Sequence, residues 1–163
     1  YLKGTYARDK DAVVASMLVC ELAASLKRNG KTILDALNEL YNTYGYCLSY
    51  VQSIELTGAD AMEKAAAMMT ALRDNSPELI GGVAVTEIRD YRSSKALNVQ
   101  KGVTTEILLP KSNVLEFILG EQGGVIVRPS GTEPKVKYYY TSIDASQCAA
   151  KALLDRMVAQ MNS

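Results

Sequence analysis

The chain has 163 residues, 48% of them hydrophobic, enough to bury the core of one domain. Lysine and arginine number 18 and aspartate and glutamate number 18, so the net charge is zero, which argues against a broad nucleic-acid or polyanion surface but leaves room for a local basic pocket. Histidine is absent, which removes Ser-His-Asp and Cys-His nucleophilic sites and nearly all zinc sites.

The first helix is expected from Asp9 to Asn29, with Asp9 or Asp11 as the cap and Asn29-Gly30 as the stop. Its apolar residues, Val13, Val14, Met17, Leu18, Val19, Leu22 and Leu26, do not keep to one stripe, the pattern of a helix covered on more than one side. A free-standing domain should not begin that way. The chain starts at Tyr1 without methionine, so it reads as a piece of a longer protein whose upstream part covers this helix. Thr32 opens a second helix, with Asp35 completing a short capping box and Gly45 ending it.

From Tyr46 to Leu56 the residues alternate, with Leu48, Tyr50, Gln52, Ile54 and Leu56 as one set, and this predicts a strand. A third helix, rich in alanine, methionine and leucine, runs from Gly58 or Asp60 to about Arg73. Val83 to Tyr91 reads as a strand, Arg92 to Gly102 as a polar loop, and Leu115 to Leu119 with Gly124 to Val127 as a hairpin around Gly120-Glu121-Gln122-Gly123. Lys135 to Thr141 is a further strand, and Asp144 or Ser146 caps a last helix ending near Met161. This order predicts an α+β fold: an antiparallel sheet of about four to five strands with helices packed on one face, preceded by two leading helices.

Three cysteines, Cys20, Cys47 and Cys148, are odd in number and far apart, which suits unpaired thiols in a reducing compartment and no CxxC motif. No stretch reaches the roughly 18 apolar residues of a membrane span, and no signal peptide is visible. The expected setting is cytoplasmic, with neither membrane nor nucleic acid as a partner.

Chemistry concentrates in Arg128-Pro129-Ser130-Gly131-Thr132-Glu133-Pro134-Lys135-Val136-Lys137, between two expected strands. Arg128 presents a planar fork of donors suited to a phosphate. Ser130 and Thr132 add hydroxyls, Gly131 allows close approach of a backbone N–H, and the two prolines stiffen the loop. Lys135 and Lys137 fall on one face of the following strand and Val136 on the other. The same residue types also make a plain turn.

RPSGTEPK resembles the phosphate-binding loop of the α-D-phosphohexomutase family, which includes phosphoglucomutases and phosphomannomutases. Tyr1-Leu2-Lys3-Gly4-Thr5-Tyr6-Ala7-Arg8-Asp9-Lys10-Asp11-Ala12 is similar to the segment that follows the sugar-binding loop in the third domain of that family. Leu109-Pro110-Lys111-Ser112-Asn113-Val114-Leu115 is similar to its approach to the hairpin. The resemblance covers nearly the whole chain and leans toward the bacterial phosphoglucomutases.

The resemblance implies a four-domain enzyme that moves a phosphoryl group between the 1- and 6-positions of a hexose through a phosphoserine, with Mg²⁺ and glucose 1,6-bisphosphate as the cofactors of the full-length protein. It implies residues 1–31 as the end of the third, α/β domain, 32–45 as a linker helix and 46–163 as the C-terminal phosphate-binding domain. No TASHNP-like serine loop and no Asp-x-Asp-x-Asp run occurs here, so this part should bind neither metal nor cofactor and should lack mutase activity alone. Matched position by position, Arg128, Ser130, Gly131, Thr132 and Lys137 would contact the phosphate that is not transferred. Lys10 would stand near the reacting phosphoryl group as a catalytic residue. Tyr6, Arg8, Glu133 and Lys135 are further candidates. The expected partners are a phosphorylated hexose and the upstream domains of the same chain, with self-association through the first helix. The alternatives are a stand-alone phosphosugar-binding module without catalysis and an interaction scaffold whose loop is a mere turn.

Overall fold

The computed structural model describes Gly4 and residues 7–162. The chain divides into two units at Gly45/Tyr46. In the first, helix α1 (Ala12–Arg28) starts at Asp11, whose carboxylate accepts from the Val14 N–H at 2.9 Å. It ends in a two-bond cap: the Gly30 N–H donates to Lys27 O at 3.1 Å and the Lys31 N–H to Leu26 O at 3.0 Å. Gly30 holds φ +68° there, a left-handed conformation that side chains resist. Helix α2 (Ile33–Tyr44) begins at Thr32 with a complete capping box, as its Oγ1 accepts from Asp35 N at 3.1 Å and its N–H donates to Asp35 Oδ2 at 2.7 Å. The Thr32 hydrogen bonds hold the Asp35 carboxyl below the usual carboxylate range.

The second unit is an antiparallel sheet with two helices on one face. Its strands are β1 (Tyr46–Glu55), β4 (Glu87–Asp90), β5 (Lys95–Asn98), β6 (Val103–Glu106), β7 (Leu115–Ile118), β8 (Gly123–Pro129) and β9 (Lys135–Asp144). The order across the sheet is β1-β9-β8-β7-β4-β5-β6. A separate two-stranded hairpin joins β2 (Leu79–Ile80) to β3 (Val83–Ala84). Helices α3 (Ala61–Asp74) and α4 (Gln147–Met161) cover one face and supply Ala65, Met69, Leu153, Leu154 and Met157 to the core. The sheet answers with Phe117, Val125, Val127, Val136, Tyr138 and Tyr140, all buried. The one buried polar residue among those described, Ser142, donates to Ala150 O at 2.9 Å. β8 approaches both of its neighbours closely because Gly123 and Gly124 carry no Cβ, which would sit 2.1 Å from Thr141 O on β9 and 2.4 Å from Phe117 O on β7.

Arg73, in the last turn of α3, fastens the helix to the sheet. Its guanidinium donates to Asp90 Oδ1 at 3.1 Å and to Asn113 Oδ1 at 2.7 Å. Burial alone would raise the Asp90 carboxyl, but hydrogen bonds from Ser93, Arg73 and the Arg92 amide hold it below its ordinary value.

The α+β layer agrees with the expectation from sequence, but the sheet has seven strands rather than four or five. Two of the extra strands, β5 and β6, lie in or next to the segment expected to be a loop. Every residue of β6 is exposed, so neither face imposes the apolar alternation by which a strand is read. The strand expected over 83–91 is instead two, because Val83–Ala84 pairs with β2 while Glu87–Asp90 joins the main sheet. In the first unit no residue of α1 or α2 is buried, and Val13, Met17, Val19, Leu22, Leu34 and Leu40 are exposed. The wrapping apolar pattern is present in α1, but among the described residues none of α1 is buried.

Two outcomes follow. Exposed apolar surface of this kind drives association, so sedimentation velocity should show concentration-dependent self-association that Met17→Lys with Leu34→Lys reduces. Asp90→Asn should lower stability by about 1–3 kcal/mol at pH 7. The folded carboxyl titrates below the unfolded value near ~3.9, so its contribution is complete above that pH and is lost as pH falls through the lower folded value. Urea unfolding at pH 7 and pH 3 should therefore show the gap between Asp90→Asn and the wild type narrowing in acid.

Candidate anion-binding site

β8 and β9 pair so that Arg128 faces Lys137 and Pro129 faces Val136. Val125, Val127, Val136 and Tyr138 are drawn into the core, and strand alternation then places Arg128, Lys137 and Tyr139 together on the face opposite α3 and α4. Two cations thus stand directly across from each other on neighbouring strands, an arrangement that costs stability unless an anion lies between them.

The loop 130–134 is held by its own backbone. Ser130 N–H donates to Lys135 O and Lys135 N–H to Glu133 O, both at 2.8 Å, and Pro134 O accepts from Leu56 N–H at 2.8 Å, which ties the loop to the end of β1. Ser130 Oγ accepts from the Glu133 N–H at 3.2 Å and the Thr132 N–H at 3.5 Å. Its own O–H proton remains available to donate outward. Gly131 is exposed, and a Cβ there would have nothing within 4 Å. Its φ is not left-handed, so the turn does not require glycine. What glycine provides is an amide with no side chain in front of it.

These residues line an open hollow of about 350 Å³ together with Pro129, Glu133, Lys135 and Tyr139. Among the described residues, the Arg128 guanidinium has no hydrogen-bond or ion-pair partner and is exposed. Lys137 is half-buried and makes no salt bridge within the described residues. Lys135 differs, since its Nζ lies 2.6 Å from Glu133 Oε2. The Lys135 hydrogen bond and charge, with a smaller pull from Lys137, hold the Glu133 carboxyl below its ordinary range. The site therefore offers two free cations, two hydroxyls and an unobstructed amide, a donor set suited to a tetrahedral anion.

The structure brings Arg128, Ser130, Gly131, Thr132 and Lys137 around one hollow, with Glu133 and Lys135 at its side. Lys10 and Arg8 belong to the first unit, before α1. Lys10 is exposed and its Nζ pairs with Asp9 Oδ2 at 2.8 Å. Tyr6 lies outside the described residues. Sequence reasoning missed Tyr139, which lines the hollow. Its signal was the period of two: it follows Lys137 on the same face of β9.

A family model described as phosphoglucomutase/phosphomannomutase, C-terminal domain, matches residues 60–160. The phosphoglucomutase of Staphylococcus aureus strain bovine RF122 / ET3-1 is 41% identical over 139 residues, which cover 85% of this chain and 25% of that protein. The phosphoglucomutase of strain USA300 is 40% identical over the same length, with the same coverage. The chain spans about a quarter of the length of the curated relatives it matches. Among solved structures, the open form of parafusin, a phosphoglucomutase from Paramecium, matches with a TM-score of 0.59 over 96% of this chain and 26% of that one. At 13% identity this is a likeness of fold.

Opposed cations with no salt bridge among the described residues should be detectable in the unliganded protein. Lys137→Met should stabilise the chain by about 0.2–1 kcal/mol in low salt, and the gain should shrink as salt screens the Arg128–Lys137 repulsion. Urea unfolding of the wild type and the variant at two ionic strengths checks this.

Proposed function

The chain belongs to the phosphoglucomutase/phosphomannomutase family, and from that premise we propose that it is the C-terminal part of an enzyme that interconverts hexose 1-phosphate and hexose 6-phosphate. In this reading the hollow between β8 and β9 grips the phosphate that is not being transferred. The observation that carries it is the pair of unneutralised cations, Arg128 and Lys137, facing each other beside the Ser130–Thr132 loop.

Arg128 supplies a two-pronged contact to two phosphate oxygens, and Lys137 a point charge from the facing strand. The Ser130 and Thr132 hydroxyls and the Gly131 amide cover further oxygens. The loop is already fixed by its backbone hydrogen bonds, so little ordering cost opposes binding. Energy from this remote group holds the hexose in place while chemistry proceeds at its other end. The phosphoryl group passes through a phosphoserine and a bisphosphorylated sugar, glucose 1,6-bisphosphate in the glucose case. In this reading Lys10 serves the reacting end of the full-length enzyme, where a lysine stabilises developing negative charge.

Magnesium belongs to the longer enzyme in this reading. Among the described residues no group of three or more acidic, cysteine or histidine side chains is placed to hold a metal ion, so the residues here do not fit one. No helix among the described residues is long and apolar enough to cross a membrane. We place the enzyme in the cytoplasm, in keeping with three free cysteines.

Titration of this chain with glucose 6-phosphate, followed by amide chemical shifts, tests the reading. Shifts should concentrate at Arg128 and Ser130–Thr132, and glucose should not reproduce them. A charge-assisted contact contributes about 1.5–3 kcal/mol, so Arg128→Ala should weaken binding about 10- to 100-fold. Lys135→Ala should cost much less, because that lysine is already occupied. Equal, negligible losses from both variants, or silence at Ser130–Thr132, would refute the assignment.

A further inference from the structure

The hollow contains a carboxylate that an anion site has no obvious use for. Glu133 lines it beside three cations, Arg128, Lys135 and Lys137. Two roles can be separated by atom. Loop order runs through the backbone of Glu133, whose N–H donates to Ser130 Oγ at 3.2 Å and whose carbonyl accepts from Lys135 N–H at 2.8 Å. The side chain does something else. It is 59% exposed, and its one salt bridge is with Lys135 Nζ.

Three cations and one carboxylate leave the hollow with a net charge of plus two. A phosphomonoester above its second ionisation carries about two negative charges. We propose that Glu133 is an internal counter-ion: it occupies Lys135, keeps that lysine out of the anion's shell, and matches the hollow's charge to a single phosphate group. The proposal rests on the phosphate-binding reading above and adds a charge-setting residue to it. Lys135 is well placed for such a competition, because it lies on the same face of β9 as Lys137 and its side chain is only 21% exposed. Its cross-strand neighbour in register is Glu55, so carboxylates flank it both within the loop and on β1.

Releasing Lys135 should change binding in a direction that a structural role for Glu133 does not allow. Removing one negative charge from the hollow and freeing one positive charge strengthens attraction for a dianion, and more so at low ionic strength. A residue that merely ordered the loop would weaken binding when replaced.

The experiment measures glucose 6-phosphate binding to this chain at pH 8 by calorimetry or amide shifts, at low and moderate salt. Four proteins are compared: wild type, Glu133→Gln, Glu133→Gln with Lys135→Met, and Arg128→Ala. Glu133→Gln should bind about 3- to 10-fold more tightly, with a steeper salt dependence. The added Lys135→Met, which restores the wild-type net charge, should remove that gain. Unchanged or weaker binding by Glu133→Gln, or a gain that survives Lys135→Met, overturns the counter-ion role. If Arg128→Ala leaves binding untouched, the hollow is not the phosphate site and the underlying reading falls as well. If Arg128→Ala weakens binding while Glu133→Gln does not tighten it, the counter-ion role alone falls. Far-UV circular dichroism of each variant verifies that the fold is intact.

Discussion

Two positive side chains stand opposite each other on adjacent strands, and neither makes a salt bridge among the described residues. Arg128 and Lys137 do not choose that position for their own comfort. They are driven there because Val127, Val136 and Tyr138 enter the core, and a strand that buries one set of side chains must present the other on its far face. The unfavourable Coulomb energy is small beside the burial of the valines and tyrosines, so the sheet can carry it.

The loop that closes the hollow follows the same division of labour. Its backbone hydrogen bonds, with the anchor from Leu56 to Pro134, shape it without using Arg128 or Lys137. Ser130 accepts two loop amides yet retains a proton to donate. Gly131 contributes by lacking a side chain rather than by an unusual backbone angle. The Glu133–Lys135 pair neutralises one of the three local cations, so the free charge of the hollow is set by the arrangement of the whole loop and not by the number of basic residues in it.

The two helices of the first unit present the opposite situation. Both are well capped, which fixes where they begin and end. Their apolar residues nevertheless lie exposed. Caps decide where a helix begins and ends; packing partners decide which of its faces is covered. In the proposed longer enzyme, the remainder of an α/β domain supplies those partners.

Much of this was legible along the chain. Thr32 with Asp35, Asn29-Gly30 and Ser146 mark helix ends because capping is a contact between residues three or four apart. β8 and β9 announce themselves because one face is buried in alternation, and β1 because its sequence alternates although none of its residues is fully buried. The run from Arg128 to Lys137 named nearly every group around the hollow, since all of them come from one hairpin. β6 was hidden because it is the edge strand and every residue of it is exposed, so no alternation is imposed, and β5 beside it buries only Ala96, too little to mark a strand. Tyr139 entered the site through the same alternation as Lys137. The division between Lys137, left free, and Lys135, held by Glu133, was decided by tertiary structure alone. Residue order determines which groups share a face, but the distances between charged side-chain tips depend on how strands pair and how the loop folds back, and those distances decide which charge remains available to a ligand.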